Sequence, residues 1–233
     1  MNRNITANWK EYLSSPRNRI IFYSTLPSLI FILFLLTRFL NYIETRNGFI
    51  PYDPVLAILP PVNLTWLIFS VIYISLFTAV FTLLKSPERL SAAMQCYFFM
   101  VLFRITAMYI VPFNPPAEMI PLNDPFVEIF GTGRLLTKDL FFSGHTATLL
   151  IFYYTAVSKK LKTIFLICTI IVAVSVLLQH VHYTVDVLGA VIFTSLSYVI
   201  VRKINPNFYI VTNDSGNMEG EKLHAKNSLQ TQK

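Results

Sequence analysis

The sequence predicts an all-α polytopic membrane protein with six transmembrane helices and an interfacial active site. Three observations carry this expectation. The chain of 233 residues is 54% hydrophobic and only 13% charged, outside the range of ordinary soluble domains. Six stretches approach the ~20 apolar residues that a spanning helix needs. Most ionisable side chains fall between those stretches or at their ends.

Taken in order, the first span covers 20–40, "IIFYSTLPSLIFILFLLTRFL". It begins too late and runs too long for a cleaved signal peptide, so it reads as a retained anchor behind a cytoplasmic segment, 1–19. The second, 64–84, carries no Asp, Glu, Lys, Arg or His. The third, 90–111, holds Arg104 about two turns from its end. After the longest connection, 112–141, the fourth span covers 142–158 and opens on Ser143-Gly144-His145. The fifth, 163–180, ends at His180, and the sixth, 184–201, opens around Asp186. Residues 20–203 thus form one membrane domain, and the polar tail 204–233 is expected to be disordered. Cys96 and Cys168 lie inside spans, where cysteine behaves as a small hydrophobe.

Charge sets the expected orientation. Of the 19 Lys and Arg residues, only Arg38, Arg46, Arg104, Arg134 and Lys138 fall on or near the side opposite the N-terminus. The positive-inside rule therefore places both termini in the cytoplasm, and the site on the periplasmic, lumenal or extracellular side. The net charge of +7 is mostly an orientation signal. Basic residues scattered between apolar spans do not make a nucleic-acid surface.

Three of the four histidines, His145, His180 and His182, fall on that outer side, while His224 lies in the tail. Asp186 is the only acid inside any of the six spans, and an ionisable group there is costly enough to suggest function. If residues 182–186 are helical, His182 and Asp186 share a face at spacing i, i+4. A carboxylate on one imidazole nitrogen fixes the tautomer and leaves the other nitrogen available as a phosphoryl acceptor. A second histidine, His145, could then move the proton that a lipid alkoxide needs. Gly144 permits close backbone approach, and Ser143 with the nearby N–H groups could hold phosphate oxygens. Ser143 also fits a helix cap, His182–Asp186 a structural pair, and Arg104 a side chain snorkelling to headgroups. The coincidence of both motifs at one face favours a site. His180 is expected to pack or hydrogen-bond in its turn. No spacing matches a zinc signature, so no metal or other cofactor is expected.

These residues resemble a known family. "KDLFFSGHTATL" (138–149) and "HVHYTVDVLGA" (180–190) resemble the third and fourth motifs of sphingomyelin synthases and related ceramide phosphoethanolamine synthases. That family is a branch of the type 2 phosphatidic acid phosphatase superfamily. "RITAMYIVPFNPP" (104–116) is similar to its second motif, and "IPYDPVLAILPP" (50–61) more weakly to its first lumenal loop. The resemblance implies a triad of His145, His182 and Asp186 that moves a phospho-headgroup from a glycerophospholipid, which leaves as diacylglycerol, to ceramide or a similar lipid hydroxyl such as that of another diacylglycerol. It aligns Asp139 with the family's acid before Ser-Gly-His, here read as a contact to the headgroup ammonium. Arg104 is left to hold phosphate with Ser143 and Gly144. Thr137-Lys138 stands where the family has Cys-Gly, and Ser175-Val176 where ordinary lipid phosphatases have Ser-Arg, so Arg104, Arg134 or Lys138 would have to hold the phosphate. Two other readings stay open: a lipid phosphate phosphatase with water as acceptor, and a transporter or scaffold without catalysis.

Overall fold

The computed structural model describes residues 5–122 and 136–205. Arg134, His224 and most of the tail lie outside the described residues. Among the described residues seven α-helices follow one another: α1 (Ile5–Ser14), α2 (Pro16–Glu44), α3 (Thr65–Leu83), α4 (Pro87–Ile110), α5 (Gly144–Thr155), α6 (Lys159–Leu178) and α7 (Thr184–Ile204). A short 3-10 turn, Leu56–Ile58, interrupts the connection between α2 and α3. Among the described residues the regular structure is helical throughout.

Local chemistry fixes several boundaries. Pro16 and Pro87 open α2 and α4 just inside the first turn, where a missing N–H costs nothing. Ser143 and Ser158 cap α5 and α6 by accepting from Thr146 and Leu161. The end of α6 is a Schellman turn: His180 adopts φ 56°, its N–H donates to the Leu177 carbonyl, and Val181 donates to that of Val176. Asp186 in the first turn and Arg202 and Lys203 in the last complement the dipole of α7.

Among the described residues five helices, α2, α3, α4, α6 and α7, are long and apolar enough to cross a bilayer. Their outward faces carry Phe31, Phe34, Trp66, Ile74, Phe77 and Ile192, all exposed, which only a hydrocarbon surrounding tolerates. The protein is therefore an all-helical polytopic membrane protein. One expectation changes. The predicted span 142–158 is a helix of 12 residues, about 18 Å long and too short to cross alone. It is short because it lies inside the bundle, with Ala147, Leu149, Leu150 and Ile151 buried against its neighbours rather than facing lipid. The N-terminal segment contains α1, whose Tyr12 is buried and whose Trp9 packs edge-on against Phe22 of α2.

The centre of the bundle is α4, which packs against α2, α5 and α7, while α3 packs against α6. Ser91, Ala92, Ala93 and Cys96 let the neighbours approach α4 closely. Two arginines of α4 bracket α5. Arg89 donates to the Ala156 carbonyl at one end, and Arg104 lies against Gly144 at the other. At the Arg89 end, Arg17 also donates to the Ile204 carbonyl (3.0 Å), and Trp9 to that of Leu84 (2.9 Å).

At the opposite end the loop after α2 meets the loop after α4. Phe49 N–H donates to Pro112 O (3.1 Å), Asn114 N–H to Phe49 O (2.9 Å), and Asn114 Nδ2 to Gly48 O (2.8 Å). A Cβ on Gly48 would come within 2.6 Å of Pro112 O and 2.7 Å of Phe113 C, so only glycine fits. Gly48→Ala is therefore expected to destabilise the protein by about 1–3 kcal/mol, the usual cost of overpacking. Thermal unfolding in detergent checks this; an unchanged midpoint would show that the two loops can part without cost.

Candidate active site

The site is assembled from the ends of α4, α5 and α7. His182 and Tyr183 precede α7, so the expected one-face helical spacing is not how the pair forms. Instead Asp186, in the first turn, reaches back as an N-terminal capping residue does. Its Oδ2 accepts the Tyr183 backbone N–H (2.9 Å) and lies 3.2 Å from His182 Nδ1. With the carboxylate as acceptor, Nδ1 carries a proton, which in the neutral ring leaves the lone pair on Nε2. Both side chains are out of water: His182 is 1% and Asp186 0% exposed. Oδ1 of Asp186 is buried without a hydrogen-bond partner among the described residues. Burying a carboxylate this way is costly, which is a reason to read the pair as functional.

His145, in the first turn of α5, faces this pair. Its ring centre is 6.2 Å from that of His182, edge to face, and 6.3 Å from that of Phe69 on α3. The histidines are distant in sequence and come together because the turns before α5 and α7 are tied: Ser143 N–H donates to the Asp186 carbonyl (3.1 Å).

Arg104 underlies the motif before His145. Its Nε donates to the Phe142 carbonyl (2.9 Å) and its Nη2 to Asp139 Oδ1 (2.6 Å). A Cβ at Gly144 would lie 2.7 Å from Nη1 and 2.8 Å from Cζ, so the missing side chain is where the guanidinium sits. Arg104 is 8% exposed and does not snorkel. The Asp139 side chain, held by Arg104, stays partly open at 23% exposure. Ser143 is wholly buried, and its hydroxyl lies within hydrogen-bond distance of both the Thr146 N–H (3.4 Å) and the Thr146 hydroxyl (3.2 Å). Lys138 Nζ donates to the Arg46 carbonyl, while its backbone N–H and that of Thr137 donate to Glu44 of α2.

Three residues that the sequence analysis did not single out hold these turns. Asp53 accepts from Thr184 at its N–H (2.6 Å) and hydroxyl (3.0 Å), capping α7 from another loop, and also from the N–H of Val55 (2.9 Å). Burial pushes the Asp53 carboxyl up, but the hydrogen bonds from Thr184, Leu56 and Val55 outweigh it and hold the group below its ordinary range. Gln179, also wholly buried, accepts from Leu64 N–H (2.9 Å) and donates to the Thr65 hydroxyl (2.8 Å) and Ile120 carbonyl (3.1 Å). Glu44 binds Thr137 and Lys138 as above. A glutamine ending an apolar run was a legible signal; the others depend on contacts between distant loops. His180, expected to pack or bond within its own turn, instead reaches another loop, its Nε2 lying 3.0 Å from the Leu59 carbonyl in the connection between α2 and α3. Among the described residues no three His, Cys, Asp or Glu side chains converge to hold a metal ion.

Two outcomes are expected. Gly144→Ala displaces Arg104 and lowers turnover at least about tenfold, because displacements near 1 Å are costly to catalysis; wild-type rates in Gly144→Ala would show the contact to be incidental. Asp53→Ala lowers stability at pH 7 by about 1 kcal/mol, as cap removal does. A depressed carboxyl stabilises above its unfolded pKa and loses that contribution as pH falls through the folded value. The gap between wild type and Asp53→Ala in thermal unfolding should therefore close in acid, and a gap that persists unchanged at pH 3 contradicts the assignment.

Residues 138–204, which carry both histidine motifs, match the family model described as PAP2 superfamily C-terminal. No curated protein matches the chain. The match covers 67 of the 233 residues, so the C-terminal part of the bundle, with both histidine motifs, is similar to that superfamily's C-terminal domain.

Proposed function

We propose that the protein is a phospholipid headgroup transferase of the sphingomyelin-synthase type. The observation that carries this reading is the buried His182–Asp186 pair facing His145 at the end of a membrane-embedded bundle. His182 Nε2 attacks the phosphorus of a glycerophospholipid, and the bond from phosphorus to the diacylglycerol oxygen breaks. His145 gives its proton to that departing oxygen. Asp186 holds the Nδ1 proton and offsets the positive charge that develops on the ring. In the second half the hydroxyl of ceramide attacks the phosphohistidine, His145 takes its proton, and the N–P bond breaks. Ceramide gains the headgroup and both histidines return to their starting states.

Arg104 supplies positive charge beside His145, and the first N–H groups of α5 around Gly144 offer donors to phosphate oxygens. Ser143 shapes that helix start. Asp139, partly exposed beside Arg104, is proposed to meet the headgroup ammonium. The chain's basic residues support cytoplasmic termini and an outward-facing site. Burial of His182 supports a lipid acceptor over water, since a phosphohistidine shielded from solvent survives until a hydroxyl reaches it. Hydrolysis would use the same first half-reaction and is the second reading, which the superfamily match accommodates equally.

His145→Ala, His182→Ala and Asp186→Asn are each expected to abolish turnover while leaving unfolding midpoints near wild type. Asp139→Asn, which keeps an oxygen acceptor for Arg104, should change headgroup preference more than rate. The assay is mass spectrometry of lipids after purified protein meets headgroup-labelled phospholipid with and without ceramide. Label on ceramide supports transfer. Phosphate or phosphorylated headgroup released without ceramide supports hydrolysis, and turnover surviving in His182→Ala removes the proposed nucleophile.

A further inference from the structure

A second polar feature lies in the half of the bundle remote from the histidines. Gln95 is on α4, about 9 Å along the helix from Arg89 and about 13 Å from Arg104. It is 8% exposed and lines a cavity of about 220 Å³ between α2, α4 and the end of α7. Ser24, Thr25 and Ser28 of α2 line it with Phe98 and Phe99 of α4, and no lining residue is ionisable. We propose that this groove binds an uncharged membrane lipid through a hydroxyl that donates to Gln95 Oε1.

The hydrogen bonds define what the groove lacks. Gln95 Nε2 donates to Thr25 Oγ1 (3.3 Å), and Thr25 Oγ1 donates to the Ile21 carbonyl (2.7 Å). Ser24 and Ser28 donate to the carbonyls of Ile21 (3.1 Å) and Ser24 (2.8 Å). Each of these hydroxyl protons has an acceptor, whereas Gln95 Oε1 is buried with no partner among the described residues. An amide carbonyl in hydrocarbon demands a donor. A lipid ester or ether offers none; a lipid hydroxyl offers one. Pro27 adds to the local polarity, because it has no N–H for the Tyr23 carbonyl one turn earlier. The volume suits a small polar group and the first methylenes of a chain, with Phe98 and Phe99 as the apolar wall and the remaining tail in the bilayer. Ser24 and Ser28 are exposed on the lipid-facing side of α2, so the groove opens to the membrane. Nothing in this argument rests on the transfer reaction.

The test uses full-length protein in phosphatidylcholine vesicles containing a diacylglycerol with a photoactivatable acyl chain. Cross-linked peptides are expected from the segments around 21–28 and 95–99. Unlabelled diacylglycerol should compete for that labelling, and its O-methyl ether should not. Gln95→Leu should reduce labelling there about fivefold or more, as loss of one hydrogen bond implies. His182→Ala should leave it unchanged, which separates this site from the proposed catalytic one. Equal competition by the O-methyl ether on the wild type, a result that needs no variant to fold, would overturn the proposal. So would undiminished labelling of Gln95→Leu, since the groove would then admit chains or water without reading a hydroxyl.

Discussion

Everything at the histidine end of the bundle depends on a guanidinium held inside it. Arg104 occupies the space that a side chain at position 144 would fill, while also bonding the Phe142 carbonyl and Asp139. A buried cation needs such partners, since an unpaired charge in hydrocarbon is costly. The same contacts fix where α5 begins, and hence where His145 stands. Because Arg89 holds the other end of α5 from the same helix, α4 sets the position of the short helix along the bundle.

The second half of the site is held by hydrogen bonds from loops rather than by packing alone. Asp186 does two tasks with one oxygen, capping the start of α7 at the Tyr183 N–H and orienting His182. Asp53 caps Thr184 from a loop 131 residues away in sequence. Gln179 and His180 bind the segments at 59, 64–65 and 120 to the turn that leads to His182. Apart from Asp186 Oδ1, these groups find hydrogen-bond partners in the loops around them, so the turn has little freedom to move. A histidine that must present one nitrogen to phosphorus needs that rigidity.

Much of this was legible in the sequence. The apolar runs gave the membrane class, and Asp186 drew notice as the one acid inside a predicted span. Pairing His182 with Asp186 was right, but the reason was not: the pair forms because an acid at the third helical position reaches back to the residue before the cap. The short α5 read as a full span because Leu, Ile and Phe look alike whether lipid or protein covers them. α1 was missed because its amphipathic pattern is short, and because its worth lies in Trp9 and Tyr12 meeting α2 and α4. Glu44 and Asp53 were illegible for another reason. Their partners are backbone N–H groups of remote loops, and no side-chain pattern announces such a contact.

The central claim is that His182 carries the phosphorus between two lipids. The direct measurement is peptide mass spectrometry of wild-type protein, mixed with headgroup-labelled phospholipid in the absence of acceptor and quenched at alkaline pH, where phosphohistidine persists. The account predicts a phospho-headgroup adduct on the peptide containing His182, discharged when ceramide is added before the quench. An adduct on His145 instead, or turnover with no adduct at any time after mixing, would contradict it.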